Sequence, residues 1–144
     1  MVADAVARGA TVIAGGARPD GDEYARGNYY LPTLLEHVDP ASRIAREECF
    51  GPALPIFRVP DLDAAIAGAN DSPYGLGSSV WTRDLARARA AAARLEAGYT
   101  WINAVQLDHD ELPFGGVKQS GYGKERGVEA LAYYTESKSI VVAS

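Results

Sequence analysis

The chain is poor in the residues that build metal sites, disulfides and thiol chemistry. Its 144 residues include one cysteine, Cys49, two histidines, His37 and His109, and one methionine. A lone cysteine cannot close an internal disulfide, which fits a reducing, cytoplasmic setting. The histidines lie far apart without ligand-like spacing, so no metal site is expected. No apolar run approaches the roughly 20 residues a membrane helix needs, and no basic segment leads an apolar one. Neither a membrane span nor a signal peptide is expected. Positive charge is scarce as well: 14 Lys and Arg stand against 19 Asp and Glu, a net charge of −5. That balance argues against a nucleic-acid surface and for plain solubility.

What is present is ordinary for a folded domain, with 47% hydrophobic and 23% charged residues. A chain of this length suits one domain and buries roughly 70% of its unfolded surface. Val2, Ala5, Val6 and Gly9 fit the inner face and stop of a helix, yet no cap precedes Val2. Thr11 to Ala14 reads as a short buried strand, 18–28 as a polar loop, and 29–35 as extended, with Pro32 at an edge or strand start. Arg43 to Glu48 reads as a short helix and Leu54 to Val59 as a strand. Asp61 is a candidate N-cap for a helix ending before Pro73. Leu76 to Trp81 is a strand; Thr82 or Asp84 then caps a helix that stops at Gly98. Tyr99 to Ala104 is a strand, 124–134 a helix, and Lys138 to Ala143 a closing apolar strand. Strands alternating with helices predict an α/β fold over 1–144: a mostly parallel sheet flanked by helices, with the last strand on its edge.

The stretch Arg46-Glu47-Glu48-Cys49-Phe50-Gly51-Pro52 concentrates chemistry at a backbone break. Gly permits unusual φ and Pro fixes it, so a Glu and a Phe here can be held rigidly and point into a cleft. A buried turn between helix and strand would look the same. Cys49 is a poor nucleophile candidate: Glu47 and Glu48 carry the wrong charge to stabilise a thiolate, and a free cysteine usually packs as a small hydrophobe. Five glycines between Gly115 and Gly127 invite a phosphate loop, but the patterns fail. Tyr122 stands where a P-loop needs Lys, and Arg126 or Val80 where a dinucleotide loop needs its third Gly. Arg83, Arg87, Arg89 and Arg94 read as a solvated helix face. Asp108, Asp110 and Glu111 read as a solvated acidic loop beside His109.

Read together, Glu48-Cys49-Phe50-Gly51-Pro52 and Pro113-Phe114-Gly115-Gly116-Val117-Lys118-Gln119-Ser120-Gly121 resemble the aldehyde dehydrogenase superfamily. The intervening segments do so too: Ala69-Asn70 to Tyr74-Gly75-Leu76, Val80-Trp81-Thr82-Arg83-Asp84, Trp101-Ile102-Asn103 and Tyr134-Thr135-Glu136-Ser137-Lys138. The likeness runs in order along essentially the whole chain. It implies an NAD- or NADP-dependent oxidoreductase in which a cysteine thiolate attacks an aldehyde, hydride passes to the nicotinamide, and a Glu-activated water releases the carboxylate. By position, Glu48 matches the Glu that hydrogen-bonds the nicotinamide-side ribose hydroxyls, and Phe50 the aromatic beside the nicotinamide ring. Phe114 matches an aromatic lining the aldehyde tunnel. The loop 104–112 lies where members vary with substrate, and its acidity points towards a cationic or polar aldehyde.

The departures define the remaining expectations. The family nucleophile sits in a Gly-Gln-x-Cys context that is missing here, and Cys49 holds a variable position. The general-base Glu, the oxyanion Asn and the dinucleotide-binding domain have no counterpart either. Tyr99 replaces a commoner small residue. The resemblance therefore implies the C-terminal part of a longer enzyme, beginning mid-helix at Met1, a single partial domain that is inactive alone. It also implies a small-molecule aldehyde as partner, with homo-oligomers or association with a full-length relative. The rival expectations are a non-enzymatic module docking on such a relative through 138–143, and an inert truncated product.

Overall fold

A computed structural model describes residues 1–143. The chain divides into two compact units, Met1–Val59 and Pro60–Ser144. Both are mixed α/β, as the sequence pattern predicts.

In the first unit, helix α1 (Val2–Ala7) leads to strand β1 (Thr11–Ala14). A single 3-10 turn, Asp22–Tyr24, interrupts the polar loop before β2 (Thr33–Glu36). The short helix α2 (Arg43–Arg46) and strand β3 (Ala53–Pro55) follow. The sheet order is β1-β2-β3; β1 pairs antiparallel with β2, and β2 parallel with β3. The core is small: Ala5, Ala10, Leu35, Val38, Ile44 and Ala53 are buried, with Met1, Val2, Ala45 and Cys49 packed against them. The expected burial of Thr11 to Ala14 is not found, because β1 is an edge strand and all four of its residues are exposed.

Charges tie α1 to α2. Ser42, at the N-cap position of α2, makes no side-chain capping bond. Instead Asp4 of α1 accepts from the Arg43 backbone N–H at 3.1 Å and from Arg8 Nε at 3.3 Å. Arg8 also reaches Asp39 at 3.3 Å, and Asp39 accepts from the Ala41 N–H at 2.9 Å. Arg43 grips Glu47 through both side-chain nitrogens, at 2.8 and 2.7 Å. The Arg43 N–H holds the Asp4 carboxyl below its ordinary range; the Ala41 N–H does the same for Asp39, and Arg43 for Glu47.

The second unit runs α3 (Leu62–Asn70), β4 (Tyr74–Gly75), β5 (Gly77–Val80), α4 (Leu85–Arg94), β6 (Tyr99–Ile102), β7 (Val117–Lys118) and a 3-10 helix, Val128–Tyr134. Asp61 caps α3 by accepting from the Ala64 N–H at 2.8 Å, and Asp84 caps α4 by accepting from Arg87 at 3.0 Å. Side-chain oxygens thereby satisfy amides that a helix start leaves open. Ala88 and Ala91 bury the α4 face, and α4 packs on β5 and β6. Strands β5 and β6 pair parallel, whereas β4 and β7 pair antiparallel. Among the described residues, two strand pairs are parallel and two antiparallel, the glycine-rich return placing β7 against β4.

Three details differ from the sequence pattern for physical reasons. Helix α4 ends at Arg94, where Leu95 is already extended, so Gly98 is not its stop. Gly98 has another duty: a Cβ there would lie 1.7 Å from the Gly115 carbonyl oxygen. Residues 135–143 form no regular element, and Ile140, Val141 and Val142 are exposed. The edge strand expected at 138–143 finds no ladder partner among the described residues, and a strand exists only through its partner. The helix expected over 124–134 is a 3-10 helix beginning at Val128, after Gly127 at φ 61°.

Two measurements test this packing. Gly98→Ala should lower the unfolding free energy by about 1–3 kcal/mol or more, since backbone must shift to admit the methyl. Gly68→Ala, inside α3 with open space around its Cβ, should instead raise it by roughly 0.5–1 kcal/mol. Urea melts of both variants should move in opposite directions; a neutral Gly98→Ala would show that the backbone approach is not tight. Acid titration tests the charged network. Asp4, Asp39 and Glu47 bind protons less readily folded than unfolded, so their stabilisation is present above the ordinary carboxylate range and lost as pH falls through the depressed folded values. Stability of the first unit should therefore drop with falling pH, and less steeply in Asp4→Asn.

Candidate functional site

The loop after α2 sorts its side chains by alternation. Glu47 leaves the helix in an extended conformation, φ −114° and ψ 149°. Successive side chains of extended backbone point to opposite sides. Cys49 accordingly turns to the core, while Glu48 and Phe50 face outward, Phe50 being 94% exposed. The loop is pinned by its backbone: Gly51 N–H donates to the Cys49 carbonyl at 2.8 Å and Ala53 N–H to Gly51 at 2.9 Å. Thr33 N–H donates to the Pro52 carbonyl at 2.7 Å, which fastens the break to the start of β2. Arg43 is committed to Glu47. The Glu48 carboxylate makes no hydrogen bond or ion pair among the described residues. A free carboxylate and a bare ring thus sit two residues apart on a fixed loop, able to accept from hydroxyls and to cover a flat heterocycle.

Phe114 belongs to the second unit, where it borders two clefts. One, of about 580 Å³, is lined by Leu76, Ser78, Trp101, Gln106, Asp108 and Phe114 among others. The other, of about 360 Å³, lies towards Gly115, Tyr122, Lys124 and Tyr133. Two rings that line the first, Trp101 and Phe114, meet Tyr99 in tilted contacts, 4.6 and 5.7 Å centroid to centroid. Trp101 Nε1 donates to the Leu107 carbonyl at 2.8 Å, and the Ser79 hydroxyl to Ala104 at 2.8 Å, so β5 and β6 hold the start of the variable loop. Phe114 itself is fixed by reciprocal backbone bonds with Glu125, both 2.7 Å.

Of the glycines that invite a phosphate loop, Gly115 and Gly116 serve close packing, whereas Gly121 and Gly123 take positive φ. A Cβ on Gly115 would lie 2.4 Å from the Gly123 carbonyl oxygen, and one on Gly116 2.6 Å from Ser120 Cβ. Lys124 Nζ donates to the Gly115 and Gly116 carbonyls at 2.7 and 3.2 Å, and Ser120 Oγ accepts from the Gly75 N–H at 3.0 Å. Lys118 Nζ donates to Asn70 and Ser72 carbonyls at 2.6 and 3.2 Å.

Glu48 and Phe50 therefore share one loop, and Phe114 lies in the other unit. Cys49 packs against the core, which fits its structural reading. His37 and His109 join no cluster able to hold a metal among the described residues. The four arginines Arg83, Arg87, Arg89 and Arg94 are exposed, with Arg94 paired to Asp63 at 2.7 Å. Sequence reasoning misses Tyr99, Trp101, Lys124 and Arg126. Tyr99 and Trp101 are two apart in a strand and so share a face, a signal that alternation alone could have given.

Comparison with known proteins places these motifs. A model of the aldehyde dehydrogenase family matches residues 1–140. A betaine aldehyde dehydrogenase of Brucella melitensis is 43% identical over 136 residues, covering 94% of this chain and 28% of that protein. The NAD+ complex of a betaine aldehyde dehydrogenase from Staphylococcus aureus superposes with a TM-score of 0.87 at 40% identity, covering 92% of this chain and 26% of that one. An indole-3-acetaldehyde dehydrogenase of P. syringae, in complex with NAD+, gives a TM-score of 0.86 at 41% identity, covering 94% and 27%. The chain spans little more than a quarter of the length of the relatives it matches. No helix among the described residues is long and apolar enough to cross a membrane.

Lys124→Met tests the ordering of the Phe114 segment. Loss of a charged donor from two partly buried carbonyls should cost about 1.5–3 kcal/mol of stability in a urea melt. An unchanged midpoint would mean that water replaces the lysine freely.

Proposed function

We infer, from a chain that belongs to the aldehyde dehydrogenase family over residues 1–140, that it is the C-terminal part of an enzyme oxidising an aldehyde to a carboxylate with NAD or NADP. The observation that carries the reading is the pair Glu48 and Phe50, a carboxylate without a partner among the described residues and a 94% exposed ring on one pinned loop. Glu48 would hold the vicinal ribose hydroxyls on the nicotinamide side, and Phe50 would lie beside the nicotinamide ring. When bound, the cofactor supplies the hydride acceptor. Phe114 would wall the aldehyde tunnel, which is supported by its place in the 580 Å³ cleft. The NAD+ complexes among the relatives favour NAD. Their names include a cationic aldehyde and an uncharged aromatic one, so they leave the substrate class open. On this reading the two units are parts of one catalytic domain, and the lone cysteine fits a cytoplasmic setting.

The 144 residues lack a Gly-Gln-x-Cys nucleophile, a general-base Glu and a dinucleotide domain. The isolated chain should accordingly form no NADH with any aldehyde; turnover that survives Cys49→Ser would overturn the reading. In an enzyme carrying this segment with those parts, Glu48→Gln should reduce kcat/KM by roughly 10- to 100-fold, the loss expected for a charged acceptor on two hydroxyls. Unchanged kcat and KM for the cofactor would remove the role.

A second reading is favoured by one observation. Ile140, Val141 and Val142 are 77, 92 and 88% exposed in a segment without regular structure. Such a segment can add as a strand to another chain, whether in a homo-oligomer or on a full-length relative. Deleting 138–144 should then abolish co-purification with that partner; retained association would refute it.

A further inference from the structure

The 580 Å³ cleft holds two features that would attract a cation, the Phe114 ring and the Asp108 carboxylate. Arg126 occupies both. Its guanidinium carbon lies 5.8 Å from the Phe114 ring centroid, within the range of cation–π attraction. Its Nη1 lies 3.2 Å from Asp108. That nitrogen is buried and makes no hydrogen bond among the described residues, so charge alone holds the pair. Arg126 does not itself line the cleft; it touches the ring and the carboxylate that do. The next residue fastens the same loop, Gly127 N–H donating to the Asp110 carbonyl at 2.8 Å. The remaining walls are apolar or uncharged: Leu76, Trp101, Val105, Ser78, Ser79 and Gln106.

We propose that Arg126 is a specificity-determining residue that already engages the cation-attracting ring and carboxylate of this cleft, so that the cleft selects uncharged aldehydes over cationic ones. The acidity of loop 104–112 points the other way when read as sequence, because the pairing of Asp108 with Arg126 is invisible there. The proposal rests on the aldehyde reading for the identity of the ligand, but its charge selectivity can be measured without cofactor or turnover.

The test uses the 144-residue chain and two probes of nearly equal shape, choline and its uncharged carbon analogue 3,3-dimethylbutan-1-ol. Binding is followed by the indole N–H resonance of Trp101, assigned by difference from Trp81→Phe. Wild type should bind the uncharged probe at least as well as choline. Arg126→Gln should shift the ratio of dissociation constants about tenfold towards choline, the scale of one freed ring and carboxylate. Arg126→Lys should keep the wild-type ratio, and Asp108→Asn added to Arg126→Gln should reverse much of the shift. A purely structural role would move both probes together. An unchanged ratio in Arg126→Gln, preference for choline in wild type, or binding of neither probe to any variant would each overturn the proposal. Because no NAD is present, failure here is distinct from failure of the dehydrogenase reading, which shows in turnover alone.

Discussion

The second unit depends on one backbone contact. Gly98 and Gly115 approach so closely that no side chain fits between them. That approach brings the start of β6 against the segment carrying Phe114, so Tyr99, one residue from Gly98, can rest between Trp101 and Phe114. Lys124 completes the arrangement by donating to the carbonyls of Gly115 and Gly116. An aromatic wall thus rests on two residues with no side chain and one long cation. Glycines at such positions are chosen for the space they leave, and their backbone polar groups still need partners.

That distinction explains much of what the sequence revealed and concealed. Helices α3 and α4 were legible because Asp61 and Asp84 are caps with an apolar stripe behind them, and a cap is a local signal. The loop at Glu48 was legible because Gly-Pro breaks a helix wherever it occurs. Gly98 reads as a helix stop in the sequence because its true constraint comes from Gly115, seventeen positions on. The edge strand expected at 138–143 had a sound apolar pattern, yet a pattern supplies no partner. Tyr99 carried no readable role because its neighbours Trp101 and Phe114 meet only in the fold. The positions of Glu48, Phe50 and Phe114 follow from motif resemblance, whereas Arg126 and Asp108, eighteen residues apart, meet only in the fold.

Both units combine exposed ion pairs with side chains bonded to backbone carbonyls. In the first, Arg8 pairs with Asp39 and Arg43 with Glu47, while Arg18 donates to the Gly27 carbonyl at 2.9 Å. In the second, Arg94 pairs with Asp63, while Asn70 donates to Arg94 at 2.8 Å and Asn103 to Thr82 at 2.9 Å. The carbonyl bonds are local and directional, so they are far less sensitive to ionic strength than the exposed charge pairs.

Asp4 has a consequence for how this sequence can drift over generations. The side-chain pair of Arg43 with Glu47 could exchange signs, each swap compensating the other. Asp4 cannot join such an exchange, because one of its partners is the Arg43 backbone N–H, whose polarity no mutation alters. Its charge is therefore fixed, and through Arg8 it fixes the sign of that neighbour as well. In a lineage of such chains, positions 43 and 47 should covary freely, whereas 4, 8 and 39 should be inherited as a block.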